Sequence, residues 1–323
     1  MSEARMTAAV LVAPRRMELA AAPLPEPGAG EVRVRLEGCG VCASNVEPWE
    51  GQPWSTYPGA PGGMGHEGWG VVDAVGPGVS AVAPGDRVTM LSANSFAGYD
   101  VVRVDQLVKL PAALDGRAFP GEPLACAMNI FRRSAIEPGQ TVAIVGIGFL
   151  GAVLTRLATE AGARVIAISR RPESLALAVR YGAAETIAMD DHWAIIERVK
   201  QLTGEALCER VIEAVGKQWP LDLASAITGF GGRLIVAGYH QDGPRQVNMQ
   251  DWNWKGIDVI NAHERDPRVN RRGLEEAVDA VASGRIDLAP LLTHHFPLSE
   301  LDAAIAATRD KPHGFVKAVI DLG

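Results

Sequence analysis

The segment from Thr141 to Gly151 constrains this chain more than any other. The apolar run Thr141-Val142-Ala143-Ile144-Val145 leads directly into Gly146-Ile147-Gly148-Phe149-Leu150-Gly151, and a helical pattern follows from about Phe149 to Ala161. An unbroken apolar run of this length fits a strand buried on both faces, as in a parallel sheet covered by helices. The first glycine permits a tight turn, the second lets the backbone approach a pyrophosphate, and the third lets helix and strand pack closely. The helix N-terminus then offers free N–H groups and a partial positive charge to phosphates. Alone the six-residue pattern is weak, since glycine-rich turns often merely save space. Its β-α-β context makes it a dinucleotide site.

That context is repeated. Arg164–Ile168 is a second strand, followed by a helix with Pro172 in its first turn and Gly182 just past its end. Arg210–Ala214 and Arg233–Ala237 are further strands, with helical segments near Trp193–Leu202 and Leu221–Thr228. The expectation is an α/β, doubly wound parallel sheet. A site for an unphosphorylated ribose usually has a carboxylate at the end of the second strand, but here that strand ends in Ser169-Arg170-Arg171. A hydroxyl and two guanidinium groups suit a 2′-phosphate, so NADP(H) is expected in preference to NAD(H).

The first third reads differently. Glu31–Leu36, Gly68–Val75, Asp86–Met90 and Tyr99–Val104 are short valine-rich stretches separated by Gly/Pro turns, the pattern of an irregular β barrel or sandwich. The tail carries helical patterns at Arg272–Ala282 and Ser299–Thr308 and a last strand at Phe315–Ile320. A length of 323 residues accommodates about two domains, each with its own core.

Composition excludes several classes. With 47% hydrophobic and 21% charged residues, the chain is not dominated by disorder. A net charge of −7 with no basic block lacks the footprint of a nucleic-acid binder. No apolar run approaches the roughly 20 residues of a membrane span, and the start MSEARMTAAVLVAPRR does not read as a secretion signal, so a cytoplasmic protein with no membrane partner is expected. Four cysteines are too few for a disulfide framework and point to free thiols or metal ligands.

Cys42 lies in GCGVCASN just after a strand, and Gly65-His66-Glu67 precedes the next. A thiolate, an imidazole and a carboxylate suit zinc, and three protein ligands leave a fourth position open, which is a catalytic arrangement. Cys39 forms a CxxC pair with Cys42, but nothing completes a structural zinc site, and it reads as a packed small residue. Glu122 is a further candidate ligand, with helix capping as its ordinary role. Cys126 is a competing candidate that otherwise belongs to the core.

The ordered set GCGVCASN, GHEGWGVVDAVGPGV, GDRV, EPLACA, VAIVGIGFLG and VIEAVG resembles the zinc-dependent medium-chain alcohol and polyol dehydrogenases over nearly the whole chain. The resemblance implies a GroES-like, mainly β catalytic domain (1–123 and 259–323) with a Rossmann domain (124–258) inserted between its parts. It implies that Cys42, His66 and the carboxylate of Glu67 or Glu122 hold one catalytic zinc per subunit, and that Ser44 begins the proton relay. Ala237-Gly238-Tyr239 would contact the nicotinamide amide, and Glu122 in an EPL sequence resembles the polyol branch. The implied reaction moves a hydride between NADP(H) and a secondary alcohol or ketone, such as a polyol, cyclitol or sugar derivative, in a homodimer or homotetramer. Three departures stand out: the four-cysteine structural-zinc lobe is missing after Asp86-Arg87-Val88, Asn45 replaces a common aspartate, and Glu47 replaces a common relay histidine.

Substrate identity is weakly encoded. Trp49, Trp54 and Tyr57 suit either a pocket or packing, and Glu47 and Glu50 either a hydroxyl-rich or amino-bearing substrate or solvent. Trp252, Trp254 and Lys255 fall where the resembled family forms its subunit contact, while His263 and Glu264 are unassigned. Two alternatives remain: a zinc-free enone or quinone reductase of the same fold, and a non-catalytic NADPH-binding sensor.

Overall fold

The computed structural model describes residues 4–323; the first three residues of the N-terminal stretch read above lie outside them. The chain divides into two compact units, one formed by the segment up to Ala125 together with Asp266–Gly323, the other by Cys126–Arg265.

The first unit opens with the antiparallel hairpin β1 (Arg5–Ala13) and β2 (Arg16–Pro23), continues through β3 (Glu31–Gly40) and the short helix α1 (Val46–Glu50), and then runs through β4 (Glu67–Val75), β5 (Arg87–Met90), β6 (Tyr99–Arg103) and β7 (Leu107–Lys109). The hairpin is not evident from sequence because β2 is alanine-rich and largely exposed. β3 is the hub of the sheet, pairing antiparallel with β4 and β6. Val32, Val34 and Leu36 alternate inward to join Val72, Val88 and Met90, as a half-buried strand requires. Beyond Leu36 the alternation stops, because the strand is crowded on both faces. A Cβ at Gly38 would lie 2.2 Å from the Trp69 ring, and one at Gly40 would lie 1.9 Å from Glu67 Oε2.

The division falls within α2 (Gly121–Ser134). The second unit alternates β8 (Thr141–Val145), α3 (Phe149–Glu160), β9 (Arg164–Ser169), α4 (Pro172–Arg180), β10 (Glu185–Ala188), α5 (His192–Thr203), β11 (Cys208–Glu213), α6 (Gln218–Ile227), β12 (Thr228–Val236), α7 (Met249–Lys255) and β13 (Asp258–Asn261). Its six strands are parallel in the order β10-β9-β8-β11-β12-β13, so the order reverses between β8 and β11. In such sheets ligands bind at the strand C-termini beside that reversal. The central strands each carry a buried apolar run, such as Val142–Val145 and Val165–Ile168, whereas the edge strands β10 and β13 are short, polar and half exposed, which hides them in the sequence.

The tail comprises α8 (Pro267–Ala282), β14 (His294–Pro297), α9 (Leu301–Asp310) and β15 (Ala318–Asp321). β15 pairs antiparallel with β3, Val319 opposite Gly40, which returns the tail to the first sheet. Among the described residues no helix is long and apolar enough to cross a membrane. Trp49 is buried against α9, and its Nε1 donates to Asp302 Oδ1 at 2.7 Å, while the Met17 N–H donates to the same carboxylate at 3.0 Å. Asp302→Ala should therefore lower stability by about 2 kcal/mol, measured by urea denaturation, because it leaves two shielded donors unpaired.

Candidate functional site

Three side chains from separate segments meet in the first unit. Cys42 follows β3, Glu67 begins β4 and His66 precedes it, and their ligating atoms lie within 4.8 Å of one another. Asn45 holds these segments together. Its Oδ1 accepts from the Cys42 N–H at 2.9 Å, and its Nδ2 donates to the Met64 carbonyl at 2.9 Å. The same carbonyl lies 2.8 Å from His66 Nδ1. Because a carbonyl only accepts, Nδ1 carries a proton here, which leaves Nε2 as the ring nitrogen a metal would take by displacing its proton. An aspartate at 45 could not donate to Met64, so the amide suits this arrangement.

The electrostatics are those of a compact charge cluster. Burial disfavours the His66 imidazolium, but the hydrogen bond and charge of Cys42, with the charges of Glu122 and Glu67, outweigh it and push the pKa to about 10. Glu67 has no exposed surface. Lys317, just before β15, donates to Glu67 Oε1 at 2.8 Å and to the Val41 carbonyl at 3.3 Å. Burial opposes the Lys317 charge, yet Glu67, Cys42 and Glu122 raise its pKa overall. Glu67 Oε2 lies 2.7 Å from the Lys317 ammonium but receives no hydrogen bond.

These residues fit a zinc ion. The set offers one soft sulfur, one imidazole nitrogen not engaged by the main chain, whose proton a metal would displace, and one buried carboxylate oxygen that receives no hydrogen bond. Glu122, in the first turn of α2, acts on His66 and Lys317 through its charge and lies outside the three-residue group. Cys39 is fully buried, and burial, reinforced by Glu67, pushes its thiol well above the usual range, so it is a packed residue. Ser44 sits half-buried in the turn Ala43–Asn45 that follows Cys42.

Where the resembled family carries its cysteine lobe, this chain has only a loop between β5 and β6. The Ser95 N–H donates to the Gly65 carbonyl at 2.9 Å, and the Ser95 hydroxyl donates to the buried Asp100 at 3.2 Å. That loop braces the His66 segment directly. It also contributes Asn94 to a pocket of about 390 Å³ lined by Leu11, Pro48, Trp54, Ser55 and Met64. Trp54 is exposed there, whereas Trp49 is a packing anchor. Glu50 is held by Arg15 at 2.8 Å and Arg309 at 3.1 Å, and is thus engaged in the scaffold.

In the second unit, the turn after β8 has the shape its glycines suggest. Gly146 has φ +101°, and a Cβ on Gly151 would lie 2.0 Å from the Gly146 carbonyl. A Cβ on Gly148 would meet nothing within 4 Å, which leaves an open face. Phe149 and Leu150 begin α3, the former buried and the latter half-buried. At the end of β9, Ser169 is buried, Arg170 is exposed and Arg171 precedes α4. Burial lowers the Arg171 pKa and Arg170 adds to this, with Glu173 opposing. Ala237 and Gly238 are buried after β12, and Tyr239 is exposed with its ring edge-on to His263 at 5.4 Å. Trp252 is packed inward, donating to Ser225 Oγ at 2.5 Å, whereas Trp254 is 78% exposed.

Sequence reasoning missed Lys317, although its position in the apolar run GFVKAVIDL was a signal, since a cation in a buried strand needs a partner. It also missed the clamping role of Asn45, for which proximity to Cys42 was the only hint.

Residues 28–112 match the family model described as an alcohol dehydrogenase GroES-like domain, and residues 150–283 match the one described as a zinc-binding dehydrogenase. The chain is similar to 2-dehydro-3-deoxy-L-galactonate 5-dehydrogenase of Pseudoalteromonas atlantica (26% identity, covering 91% of this chain and 92% of the relative) and to sorbitol dehydrogenase of Gallus gallus (28%, covering 89% and 88%). Its fold matches a solved protein of Sinorhizobium meliloti described as a zinc-binding dehydrogenase bound to NADP, with TM-score 0.86 and 26% identity over 99% of this chain and 100% of that one. The chain belongs to the zinc-type medium-chain alcohol and polyol dehydrogenase family, a family of oxidoreductases.

Two substitutions separate the roles of the glycines. Gly151→Ala should destabilise the second unit, because a methyl there strikes backbone, while Gly148→Ala should leave the melting temperature within about 1 °C and weaken dinucleotide binding about tenfold, read by calorimetry. Asn45→Ala should speed loss of zinc to a chelator, corresponding to about 10- to 100-fold weaker binding, through release of both ligand segments.

Proposed function

We propose that the protein is a zinc-dependent oxidoreductase that interconverts a secondary alcohol and its ketone with NADP(H), acting on a polyol, cyclitol or sugar derivative. The observation that carries this reading is the convergence of Cys42, His66 and Glu67, with Ser44 in the turn that follows Cys42. Cys42, His66 and Glu67 would hold the metal, with Glu122 as the alternative carboxylate. When bound, zinc supplies a Lewis acid that makes a carbinol hydroxyl acidic near neutral pH. Ser44, as the first hydroxyl of a relay, would accept that proton while passing its own onward toward water during oxidation, and would reverse the exchange during reduction. The Met64 carbonyl, held by Asn45, engages His66 Nδ1 and so turns Nε2 to the metal, and Lys317 offsets the charge of Glu67.

Gly146, Gly148, Phe149, Leu150 and Gly151 would bind the pyrophosphate, Ser169, Arg170 and Arg171 the 2′-phosphate, and Ala237, Gly238 and Tyr239 the nicotinamide end. Arg170 and Arg171 are adjacent cations, and the carboxylate near Arg171, Glu173 at 3.9 Å, stands too far for a close pair, which supports a phosphate as a stronger partner. The pocket is not lined by Cys42, Ser44, His66 or Glu67 but reaches Met64, two residues before His66; as an outer wall, Trp54, Ser55 and Asn94 suit a substrate with both C–H faces and hydroxyl groups, which supports the polyol class over simple alcohols. The similarity to a sugar-acid dehydrogenase and a sorbitol dehydrogenase supports the same class. Trp254 lies in α7, four residues before β13, a sheet edge with one partner among the described residues, which supports a homodimer or homotetramer.

A panel of polyols, cyclitols and matching ketones, assayed with both cofactors alongside metal analysis, tests the reading. The expected result is turnover with about one zinc per subunit, and a Km for NADPH raised at least about tenfold by Arg171→Ala with little change for NADH. Activity in metal-free protein would favour an enone or quinone reductase, and cofactor binding without turnover a sensor.

A further inference from the structure

The second unit contains a buried carboxylate that the reading above leaves unused. Glu213, the last residue of β11, has no exposed surface. Its Oε1 accepts from the Val215 and Gly216 N–H groups at 2.7 and 2.8 Å, and its main-chain carbonyl accepts from Ala237 and Gly238, both at 2.8 Å. One residue therefore ties the turn after β11 to the turn after β12. The fit is tight, since a Cβ on Gly238 would lie 2.2 Å from the Gly216 nitrogen and 2.7 Å from Glu213 Oε2.

Glu213 Oε2 is satisfied by His240, whose Nε2 lies 3.0 Å away. Arg245 determines the tautomer. Its Nε donates to His240 Nδ1 at 2.8 Å, and a guanidinium has no acceptor, so Nδ1 is bare and the proton sits on Nε2, where it is donated to Glu213. Arg245 also donates to the Gly216 carbonyl at 3.0 Å and pairs with Asp242, which Lys217 holds from the other side at 2.7 Å. On the far side of the turn, His263 Nε2 lies 3.2 Å from the Gly238 carbonyl.

We propose that His240, oriented by Arg245, is a positioning residue that seats the Ala237–Tyr239 turn through Glu213 and so sets the affinity for the nicotinamide half of the cofactor. The proposal rests on the assignment of that turn to the nicotinamide end. Without His240, a carboxylate sealed from water loses a donor it cannot replace from solvent and must shift against Gly238, with which it is already in contact. The turn after β8, which would take the phosphates, has no share in these bonds.

The test compares wild type, His240→Leu and His240→Gln for binding of NADPH and of adenosine 2′,5′-bisphosphate, the half without nicotinamide. Leucine fills the space without hydrogen bonding, while glutamine supplies one donor and one acceptor. In His240→Leu the dissociation constant for NADPH should rise about tenfold or more, while that for the bisphosphate stays within about twofold. His240→Gln should recover NADPH binding to within about threefold of wild type. Arg245→Leu, which frees Nδ1 while leaving the imidazole in place, should shift NADPH binding in the same direction and serves if His240→Leu does not fold. Unchanged NADPH binding in both leucine variants, equal loss of both ligands, or a glutamine variant as weak as leucine would overturn the proposal. Wild-type protein that binds the bisphosphate but gains nothing from the nicotinamide half would overturn the assignment of the turn itself.

Discussion

The buried pair of Glu67 and Lys317 is the interaction on which the first unit depends. A carboxylate with no exposed surface is tolerated only when a cation or a set of hydrogen-bond donors holds it. Here the compensation comes from a residue 250 positions later in the chain. Removing either partner of such a pair typically costs roughly 3–5 kcal/mol, because the other is left as a bare buried charge. The pairing requires β15 to lie beside β3, and Gly40 must be glycine because Glu67 Oε2 occupies the space a side chain would need. The return of the tail to the first sheet, the GCG sequence and the Cys42–His66–Glu67 cluster are thus parts of one electrostatic arrangement.

A similar economy governs the second unit. Glu213 is the other fully buried carboxylate among the described residues, and it too lies where two strand-end turns must be held in register. In both places a charge is retained within a core that would be cheaper to fill with leucine or valine. Burial strengthens each hydrogen bond and removes the alternatives that water would offer, so the surrounding loops have one arrangement rather than several. Asn45 achieves the same end without charge, linking Cys42 and the His66 segment through a single amide.

Much of the architecture was legible along the chain. The doubly wound sheet showed itself because strands covered on both faces must be continuously apolar, as Thr141–Val145 and Arg164–Ser169 are, and because Pro172 and Gly182 mark helix ends by their backbone preferences. The hairpin β1–β2 and the edge strands β10 and β13 escaped notice. Their sequences are short, polar or alanine-rich, and their conformation depends on neighbours rather than on local preference. Of the candidate pocket aromatics, Trp49 and Trp54 are indistinguishable by composition. Only the position of Asp302 and α9 makes the first an anchor and leaves the second facing a cavity.

By itself, the sequence determined the strand-turn-helix at Gly146–Gly151 and the presence of a thiol, an imidazole and carboxylates with zinc-ligand chemistry, because backbone freedom and donor type are properties of single residues. The tertiary structure brought Glu67 beside Cys42 and His66, set Nδ1 of His66 against the Met64 carbonyl, and supplied from Lys317 the cation that balances Glu67. It also brought His240 and Arg245 onto Glu213. These are matters of distance between residues far apart in the chain, and a buried charge is stabilised by whatever the fold brings within about 3 Å of it, regardless of separation in sequence.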